Sequence, residues 1–305
     1  MNSGPSSVPA ARPLGGILWM LLSGLFFTAV TVIVKHVAQS LPSPQVVFMR
    51  YAIGLVFVLP ALPAMARAGV GQGLGLRFVG RGALHALGVL LWFYAMAHIT
   101  IGEVTAMGYM QPVYITIGAV LFLGETIATR RIAAIGFAIL GALLVLRPGF
   151  RELQPGHLAM LAVTPLFAAS YLMAKTLAER TSAAATLGWM SVIVAVLLAP
   201  VAAWVWQPMT WVEFGWLCGT AALATAGHYA MLLAFRAAPI TVTQPVTFLQ
   251  LVWSVTFGAL LFNEPVDLWV VLGGTVILGS VVFIAWREAR LRRGQARAAA
   301  AASAP

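Results

Sequence analysis

Long runs without a charged residue dominate this 305-residue sequence. Six runs contain no Asp, Glu, Lys or Arg, and each is longer than the roughly 18 apolar residues that cross about 30 Å of hydrocarbon as a helix. A soluble fold has no place for six such runs, so the chain is predicted to be an integral membrane protein. The runs are residues 14–34, 104–124, 181–206, 214–235, 237–263 and 268–286.

Four further apolar stretches are shorter, or are interrupted by one basic residue. A long basic side chain near a helix end can extend its charge to the lipid headgroups, so one such residue does not exclude a membrane helix. The sequence therefore predicts an all-α fold with ten transmembrane helices. The four stretches are residues 46–66, interrupted by Arg50; 78–97, interrupted by Arg81; 132–146; and 157–178, interrupted by Lys175.

The basic residues are unevenly divided between alternate loops. If the N-terminus is cytoplasmic, 14 of the 18 Lys and Arg residues lie on the inner side of the membrane. An excess of Lys and Arg is typical of cytoplasmic loops. We therefore predict that both termini are cytoplasmic, and that the net charge of +10 reports orientation in a lipid bilayer and not a nucleic-acid partner. The four basic residues on the outer side are Lys35, Arg50, Arg147 and Arg151.

The two halves of the chain resemble each other at a fixed spacing. Each half holds five predicted helices, so the second copy enters the membrane from the opposite side and the repeats are inverted. Inverted repeats are typical of transporters that bind their substrate near the bilayer midplane, although an old duplication kept only for packing is the alternative. At shifts of 140 or 139 residues, the coinciding pairs include Lys35 with Lys175, Pro60 with Pro200, Gln111 with Gln250 and Glu125 with Glu264.

Turn-forming and charged residues mark the predicted boundaries. The segment between the repeats contains Pro148, Gly149, Pro155 and Gly156, which favour a turn. The first helix lacks the cleavage pattern of a secretory signal, so we expect it to be retained. The single Cys218 excludes an intramolecular disulfide. The predicted parts are a cytoplasmic tail (1–13), the first repeat (14–147), a periplasmic connector (148–156), the second repeat (157–286) and a basic cytoplasmic tail (287–305).

One segment recurs at the fourth and fifth helices of both repeats. It runs from Gln111-Pro112-Val113 through Leu123-Gly124-Glu125 to Gly136 and Gly141, and its second copy runs from Gln250 through Asn263-Glu264 to Gly273, Gly274 and Gly279. With these segments the chain resembles the drug/metabolite transporter superfamily, specifically its ten-helix exporters with two EamA repeats. The second copy departs from the first by Asn263 in place of Gly124 and by Leu251 in place of Pro112.

The resemblance covers residues 14–286 and has functional implications. Within the superfamily the sequence is most similar to bacterial exporters of aromatic amino acids and toxic organic compounds. It therefore implies a multi-pass protein of the bacterial inner membrane that exports small organic solutes and functions as a monomer. Substrate does not follow closely from repeat motifs, because related folds carry different functions.

Two glutamines are the first candidates for substrate binding. Gln111 and Gln250 fall near the middle of the fourth and ninth predicted helices, where an amide is costly unless it faces the interior of the bundle. Each amide could donate to a carboxylate or accept from an ammonium group. The alternative is a structural hydrogen bond between helices, worth about 1 kcal/mol.

Histidine, aromatic and methionine side chains share helix faces with these amides. Residues three or four apart lie on one face of a helix, so such a set could form a cavity with aromatic walls for an amphipathic solute. Ordinary interior packing is the alternative for the histidines, and their spacing gives little support to a metal site. The candidates are His85 and Trp92, with Gly88 and Met96, on the third helix; Met107 and Tyr114 on the fourth; and His228 and Tyr229 on the eighth.

Lys35 and Lys175 lie near the ends of the first and sixth helices, where they could contact a substrate carboxylate or extend to lipid headgroups. Pro165 could bend the sixth helix so that it acts as a gate. No acidic residue falls in the middle of a predicted helix, so a carboxylate proton relay has no support.

These features favour a transporter that works by alternating access. The expected cargo is a small amphipathic metabolite, with amino acids, aromatic ones included, as the favoured substrates, exported by facilitated diffusion or exchange without a cofactor. A sugar-phosphate or nucleotide-sugar exchanger and a proton-coupled drug exporter of the same fold are the alternatives. A membrane enzyme would need a nucleophile, a metal or an acid pair at depth, and the sequence offers none.

Overall fold

The computed structural model describes residues 13–302, except residues 69–72, 124–128, 151, 179 and 239–242. Nearly all of the described chain is α-helical, as the uncharged runs predict. The helices are α1 (Pro13–Val37), α2 (Ser43–Gly54), α3 (Leu62–Ala68), α4 (Leu74–His98), α5 (Ile101–Gly108), α6 (Gln111–Leu123), α7 (Thr129–Leu146), α8 (Pro155–Ala178), α9 (Ala183–Trp204), α10 (Trp211–Ala237), α11 (Phe248–Phe262) and α12 (Leu268–Ala302).

These helices form the ten predicted crossings in the described chain. Helices α2 and α3 belong to one crossing because the 3-10 segment Leu55–Ala61 joins them, and α5 and α6 belong to another. Seven crossings are long and apolar enough to span a membrane by themselves, and Ile132–Leu146 and Leu249–Phe262 are shorter apolar helices. The tenth is α10, a helix of 27 residues, so the prediction of an all-α membrane protein with ten helices in two repeats is confirmed.

The largest helix contacts join one repeat to the other. Helix α1 packs on α10 and α4 packs on α8, so the first helix of each repeat lies against the third helix of the other. The second helices, α2 and α9, contact each other, and so do the fifth helices, α7 and α12. This reciprocal pairing is what a twofold relation between two five-helix repeats produces, and it places the interface between the repeats at the centre of the protein.

The fourth crossing is broken at its middle, where the sequence predicts a continuous helix. The break lies at Tyr109 and Met110, because Pro112 lacks the N–H that would continue the helix and its ring crowds the preceding turn. The crossing that contains α11 has a 3-10 segment at Gln244–Thr247, which includes Pro245. The Tyr109 hydroxyl donates to the Thr247 carbonyl at 2.8 Å, so the two irregular segments are bonded to each other.

Helices α7 and α12 approach closely at two glycines that the repeat motif contains. A Cβ on Gly141 would lie 2.7 Å from the Gly273 carbonyl oxygen, and a Cβ on Gly273 would lie 2.5 Å from the Gly141 carbonyl oxygen. Both distances are too short for a real side chain, so these positions require glycine. Close backbone contact of this kind is a main source of helix association in lipid.

We expect Gly141→Ala to lower the stability of the protein by about 1–3 kcal/mol, because the added methyl group must push the two helices apart. Gly136→Ala is the matched control on the same helix, since a Cβ there meets no atom within 4 Å. Thermal unfolding of both variants in detergent measures the difference. Equal midpoints for the two variants would contradict the proposed contact.

Candidate functional site

A group of basic and aromatic side chains lies where α2, α4, α6 and α8 meet between the repeats. We call this group the interior cluster. Its members are linked by hydrogen bonds, ring contacts and electrostatic interactions, and they come from both halves of the chain. The members are Arg50 and Tyr51 on α2, Arg81 and His85 on α4, Gln111 on α6, and Phe167 and Tyr171 on α8.

Tyr51 and His85 form the middle of the interior cluster. The Tyr51 hydroxyl and the His85 Nε2 atom are 2.9 Å apart, so they share a hydrogen bond. The His85 ring also contacts Phe167, with the ring centroids 5.1 Å apart, and the Arg50 guanidinium lies 4.6 Å from the centre of the Tyr51 ring. His85 therefore faces the interior, and its role in lining a substrate cavity stays a prediction.

Arg81 is buried, although its position near a helix end favours a side chain that extends to the headgroups. Only 9% of the residue is exposed, and its Nη1 atom donates to the Thr186 carbonyl on α9 at 2.7 Å. The Arg81 carbonyl accepts a hydrogen bond from the Ser170 hydroxyl on α8. The prediction of a headgroup contact is therefore wrong for Arg81, because α8 and α9 cover it.

Tyr171 on α8 is the most exposed member of the interior cluster. It is 45% exposed, yet it is hydrogen-bonded to Gln111 and interacts electrostatically with Arg81 and Tyr51. Met160 and Thr164 precede it on the same face of α8, by spacings of eleven and seven residues, and both are buried. The exposed part of this face therefore begins after Thr164.

Gln111 begins α6 directly after the broken segment, so the break brings its amide into the interior cluster. Gln250, its partner in the repeat, is partly buried on α11 near Gly24 of α1. The two amides thus lie on different helices of the interior, but only Gln111 belongs to the interior cluster.

His228 lies on the far side of the interior cluster, on α10. Its Nδ1 atom is 2.7 Å from the Ala224 carbonyl of its own helix, and its ring meets Phe27 edge to face, with the centroids 4.9 Å apart. It interacts electrostatically with Arg50 and with His85. The neighbouring Tyr229 is 63% exposed and lies apart from this contact.

The other aromatic and methionine candidates are not brought together. Trp92 is partly buried and contacts the ring of Phe93. Met107 is fully packed in the main apolar core, whereas Tyr114 packs against the separate apolar cluster between α6, α7 and α12. The break at Tyr109 interrupts the shared face, so Met107 and Tyr114 point into different parts of the protein.

A second polar group closes the end of the bundle that the charge pattern assigns to the periplasm, which we call the outer end. Lys35 at the end of α1 pairs with Glu264 after α11 at 2.5 Å. Its Nζ atom also donates to the Ile99 carbonyl at 2.7 Å, and Glu264 accepts from the Ile101 N–H at 2.9 Å. One ion pair therefore joins α1, α11 and the turn between α4 and α5.

Glu103 and His157 extend this outer group to α8. The His157 Nε2 atom lies 3.2 Å from the Glu103 carboxylate, and the two side chains are only 2% and 5% exposed. The Gln154 N–H donates to His157 Nδ1 at 3.0 Å, so that nitrogen carries no proton and Nε2–H is the donor to Glu103. The sequence assigned no role to Glu103, Glu264 or His157, because each lies at a helix end.

The outer group borders a polar cavity of about 530 Å³. Residues from α1, α4, α5, α8 and the segment after α11 line it, and it opens at the outer end. The Glu103–His157 pair and the Lys35–Glu264 pair are part of its lining, so their polar contacts cross the outer end of the bundle. The outer end is thus closed by polar contacts that could be exchanged for water.

Two further candidates cannot be placed at a site. The backbone of Lys175 lies in α8, but its side chain is outside the described part of the structure. Pro165 lies inside α8, which continues through it to Ala178. A gating role for either residue stays a prediction.

We expect Lys35→Gln to open the outer end, because it leaves the buried Glu264 carboxylate without its cation, at a cost of about 3–5 kcal/mol. The measurement is labelling of Cys at Met160, a buried position below the outer group, by a membrane-impermeant reagent in a Cys218→Ala background. The labelling rate should rise at least about tenfold, and the double exchange Lys35→Glu with Glu264→Lys should reverse much of the rise.

Arg147→Gln is the control for the outer-end experiment. Arg147 also forms an ion pair at this end, with Asp267, but the two side chains are 26% and 24% exposed. Exposed pairs contribute about 0–1 kcal/mol, so this variant should label nearly as slowly as the parent. Equal acceleration by both variants would show that the Lys35–Glu264 pair has no special part in the closure.

Ten membrane crossings in two five-helix repeats, with a polar group enclosed between the repeats, define a membrane transporter of the inverted-repeat type. Comparison with known proteins identifies the family. The EamA-like transporter family matches residues 14–147 and 154–286, so the chain belongs to it. This family is part of the drug/metabolite transporter superfamily, as the repeated motif indicates.

Relatives with established names carry different small molecules. A riboflavin transporter of Rhizobium johnstonii is 30% identical over 96% of this chain and 98% of its own length. A pseudopaline exporter of Pseudomonas aeruginosa is 26% identical over 86% of this chain and 93% of its own. An S-adenosylmethionine uptake transporter of Rickettsia conorii is 26% identical over 90% of this chain and 94% of its own.

A solved crystal structure shares the fold, with a TM-score of 0.57 and 17% identity over 89% of this chain and 97% of its own. The comparisons as a whole establish that this chain is a small-molecule transporter of the bacterial inner membrane and not an enzyme.

Proposed function

We propose that this protein exports small amphipathic metabolites by alternating access, with amino acids, aromatic ones included, as the first cargo to test. One observation carries the proposal: the interior cluster is partly exposed while the outer end is closed by ion pairs. A site that is closed at one end and partly exposed is what we expect of an end state in an alternating-access cycle.

The chemistry of the interior cluster supports an amphipathic cargo. Tyr51, Phe167 and Tyr171 provide aromatic surface, and aromatic walls with a few polar groups suit a solute that has an apolar body and a polar end. The Gln111 amide can donate to a carboxylate or accept from an ammonium group. The names of the relatives refer to riboflavin, pseudopaline and S-adenosylmethionine, none of which is a simple amino acid. The proposal of an amino-acid cargo is therefore based on the interior cluster alone.

The two arginines favour a second candidate cargo. A sugar phosphate or nucleotide sugar carries a phosphate that guanidinium groups bind well. Arg50 and Arg81 are close enough to His85 for both to interact with it electrostatically. An exchanger of phosphorylated solutes is therefore the alternative within the same fold.

Purified protein in liposomes should move neutral amino acids in both directions down their gradients without an imposed proton gradient. The physical reason is that the described carboxylates lie at the outer end, so none is placed at midplane as a proton carrier. Counterflow of labelled phenylalanine with and without a protonophore is the measurement. Loss of counterflow on adding the protonophore, or counterflow of sugar phosphates alone, would overturn the proposal.

Gln111→Ala and Gln250→Ala should each lower transport by the equivalent of about 1–3 kcal/mol in apparent substrate binding, while insertion into the membrane is preserved. Because Gln111 bonds to Tyr171, Tyr171→Phe should cause much of the same loss, and the two changes should not be additive. Counterflow rates at equal amounts of inserted protein test this. Normal transport by the double glutamine variant would show that both amides are structural.

A further inference from the structure

Two guanidinium groups enter the interior from opposite ends of the bundle. Arg50 is seven residues from the start of α2 and Arg81 is seven residues from the start of α4, so each lies about 10 Å along its helix from an opposite end. His85, one turn beyond Arg81 on α4, interacts electrostatically with both. The two arginines therefore lie on either side of the middle of the membrane.

Neither arginine has an acidic partner in the described part of the chain. Arg50 contacts the Tyr51 ring, and Arg81 donates to a backbone carbonyl. Isolated charges at membrane depth are costly and mark substrate or ion pathways. The carboxylates whose surroundings are described lie at the outer end: Glu103 with His157, Glu264 with Lys35, Asp267 with Arg147, Glu213 with Ser40, and Glu152 in the outer cavity.

Several buried nitrogens on α2, α4 and α9 have no hydrogen-bond partner. Seven buried side-chain nitrogen or oxygen atoms in the described chain lack one, and four of them belong to Arg50, Arg81, His85 and Trp189. Arg50 and Arg81 both interact electrostatically with His85. Buried polar atoms are nearly always bonded, so the free nitrogens of these three residues indicate a place for an external acceptor.

Trp189 belongs to this place because of its position on α9. Its ring stacks on Phe78 of α4, with the centroids 5.9 Å apart. Phe78 is one helical turn before Arg81, and Trp189 is one turn after Thr186, whose carbonyl accepts from Arg81. The free Trp189 nitrogen thus lies near Arg81, beside the buried ring of Phe78.

We propose that the interior cluster recognises organic anions, and that the protein binds a carboxylate or phosphate on an aromatic body more tightly than the zwitterion or the amine of the same body. This inference rests on the proposed function. An anionic group on the solute can accept from Arg50 or from Arg81, whereas an ammonium group meets two like charges and no carboxylate among the described residues.

An anionic cargo also determines the direction of net transport. Each cycle of a uniporter moves the charge of its cargo, so a potential that is negative inside favours outward movement of an anion. For a monoanion, 100 mV corresponds to about a 50-fold ratio of outer to inner concentration at equilibrium. Export would then need neither a proton gradient nor a bound cofactor.

The test is equilibrium binding of four labelled ligands that share a phenyl group: phenylpropionate, phenyl phosphate, phenylalanine and phenethylamine. Purified full-length protein is used at neutral pH, so that binding is measured without transport. We expect one of the two anions to bind at least about tenfold tighter than phenylalanine, and phenethylamine to bind weakest.

Variants then assign the preference to the arginines. Arg50→Gln and Arg81→Gln should each reduce the preference for the anion at least about tenfold. Arg81→Lys keeps the charge but loses the guanidinium fork, so it should retain part of the preference if Arg81→Gln fails to fold. Arg67→Gln is the control, because Arg67 is exposed and bonds only within its own helical turn.

The outcomes separate this inference from the proposed function. Anion binding that depends on both arginines supports the inference. If phenyl phosphate binds more tightly than phenylpropionate, the result supports the inference with exchange of phosphorylated solutes as the function. Equal or tighter binding of phenylalanine overturns the anion preference but leaves amino-acid transport standing. Anion binding that neither arginine variant alters overturns the assignment to these residues, and failure of folded protein to bind any of the four ligands overturns the aromatic cargo and the inference together.

Discussion

A charge in hydrocarbon must be enclosed by protein or reach the membrane surface, and the interior of this protein is arranged around that constraint. Arg81 is enclosed because α8 and α9 cover it and the Thr186 carbonyl accepts a hydrogen bond from its guanidinium group. Lys35 is enclosed by Glu264 and the Ile99 carbonyl. Thr186 and Glu264 belong to the second repeat, whereas Arg81 and Lys35 belong to the first. Both charged groups are therefore satisfied only when the two halves assemble.

The reciprocal helix pairing explains how one short chain supplies such an environment. Helix α4 carries Arg81 and His85 and lies against α8, which carries Phe167 and Tyr171. Helix α1 lies against α10 in the same way, where Phe27 meets His228. The equivalent faces of both repeats therefore meet in the interior. Polar residues at equivalent depths lie close together there, and no separate domain is needed to position them.

The number of helices and the two repeats could be predicted from the sequence because both follow from composition and spacing, which do not depend on side-chain direction. The closure of the outer end could not. Glu103, Glu264 and His157 lie at helix ends, where solvation is the ordinary interpretation. Glu103 and His157 are buried where α8 packs against α5, and Glu264 is held by Lys35 and the Ile101 N–H. The interior positions of the Arg50 and Arg81 side chains could not be predicted for the same reason, since a single arginine near a helix end is compatible with lipid contact or with burial.

The break in the fourth crossing shows a different limit of sequence reasoning. Periodicity placed Met107, Gln111 and Tyr114 on one face, but the interruption at Tyr109 and Met110 turns α6 relative to α5. As a result Met107 enters the main core and Tyr114 enters the cluster beside α7. Pro112 was visible in the sequence, yet proline alone does not specify the new direction of the helix that follows it.

Helices α4 and α8 connect the interior cluster to the outer closure. Helix α4 carries Arg81 and His85 and ends at the turn whose Ile99 carbonyl holds Lys35, while α8 carries Tyr171 and begins beside His157, which holds Glu103. The two helices are in close contact, since a Cβ on Gly88 would lie 2.8 Å from the Phe167 ring. A tilt of this pair would move the binding groups and the closing groups together. A solute can drive that tilt only to the extent that it binds one arrangement of the pair more tightly than the other. Because Arg50 and Arg81 have no acidic partner among the described residues, an anion would bind more tightly to the arrangement that brings them closer to it.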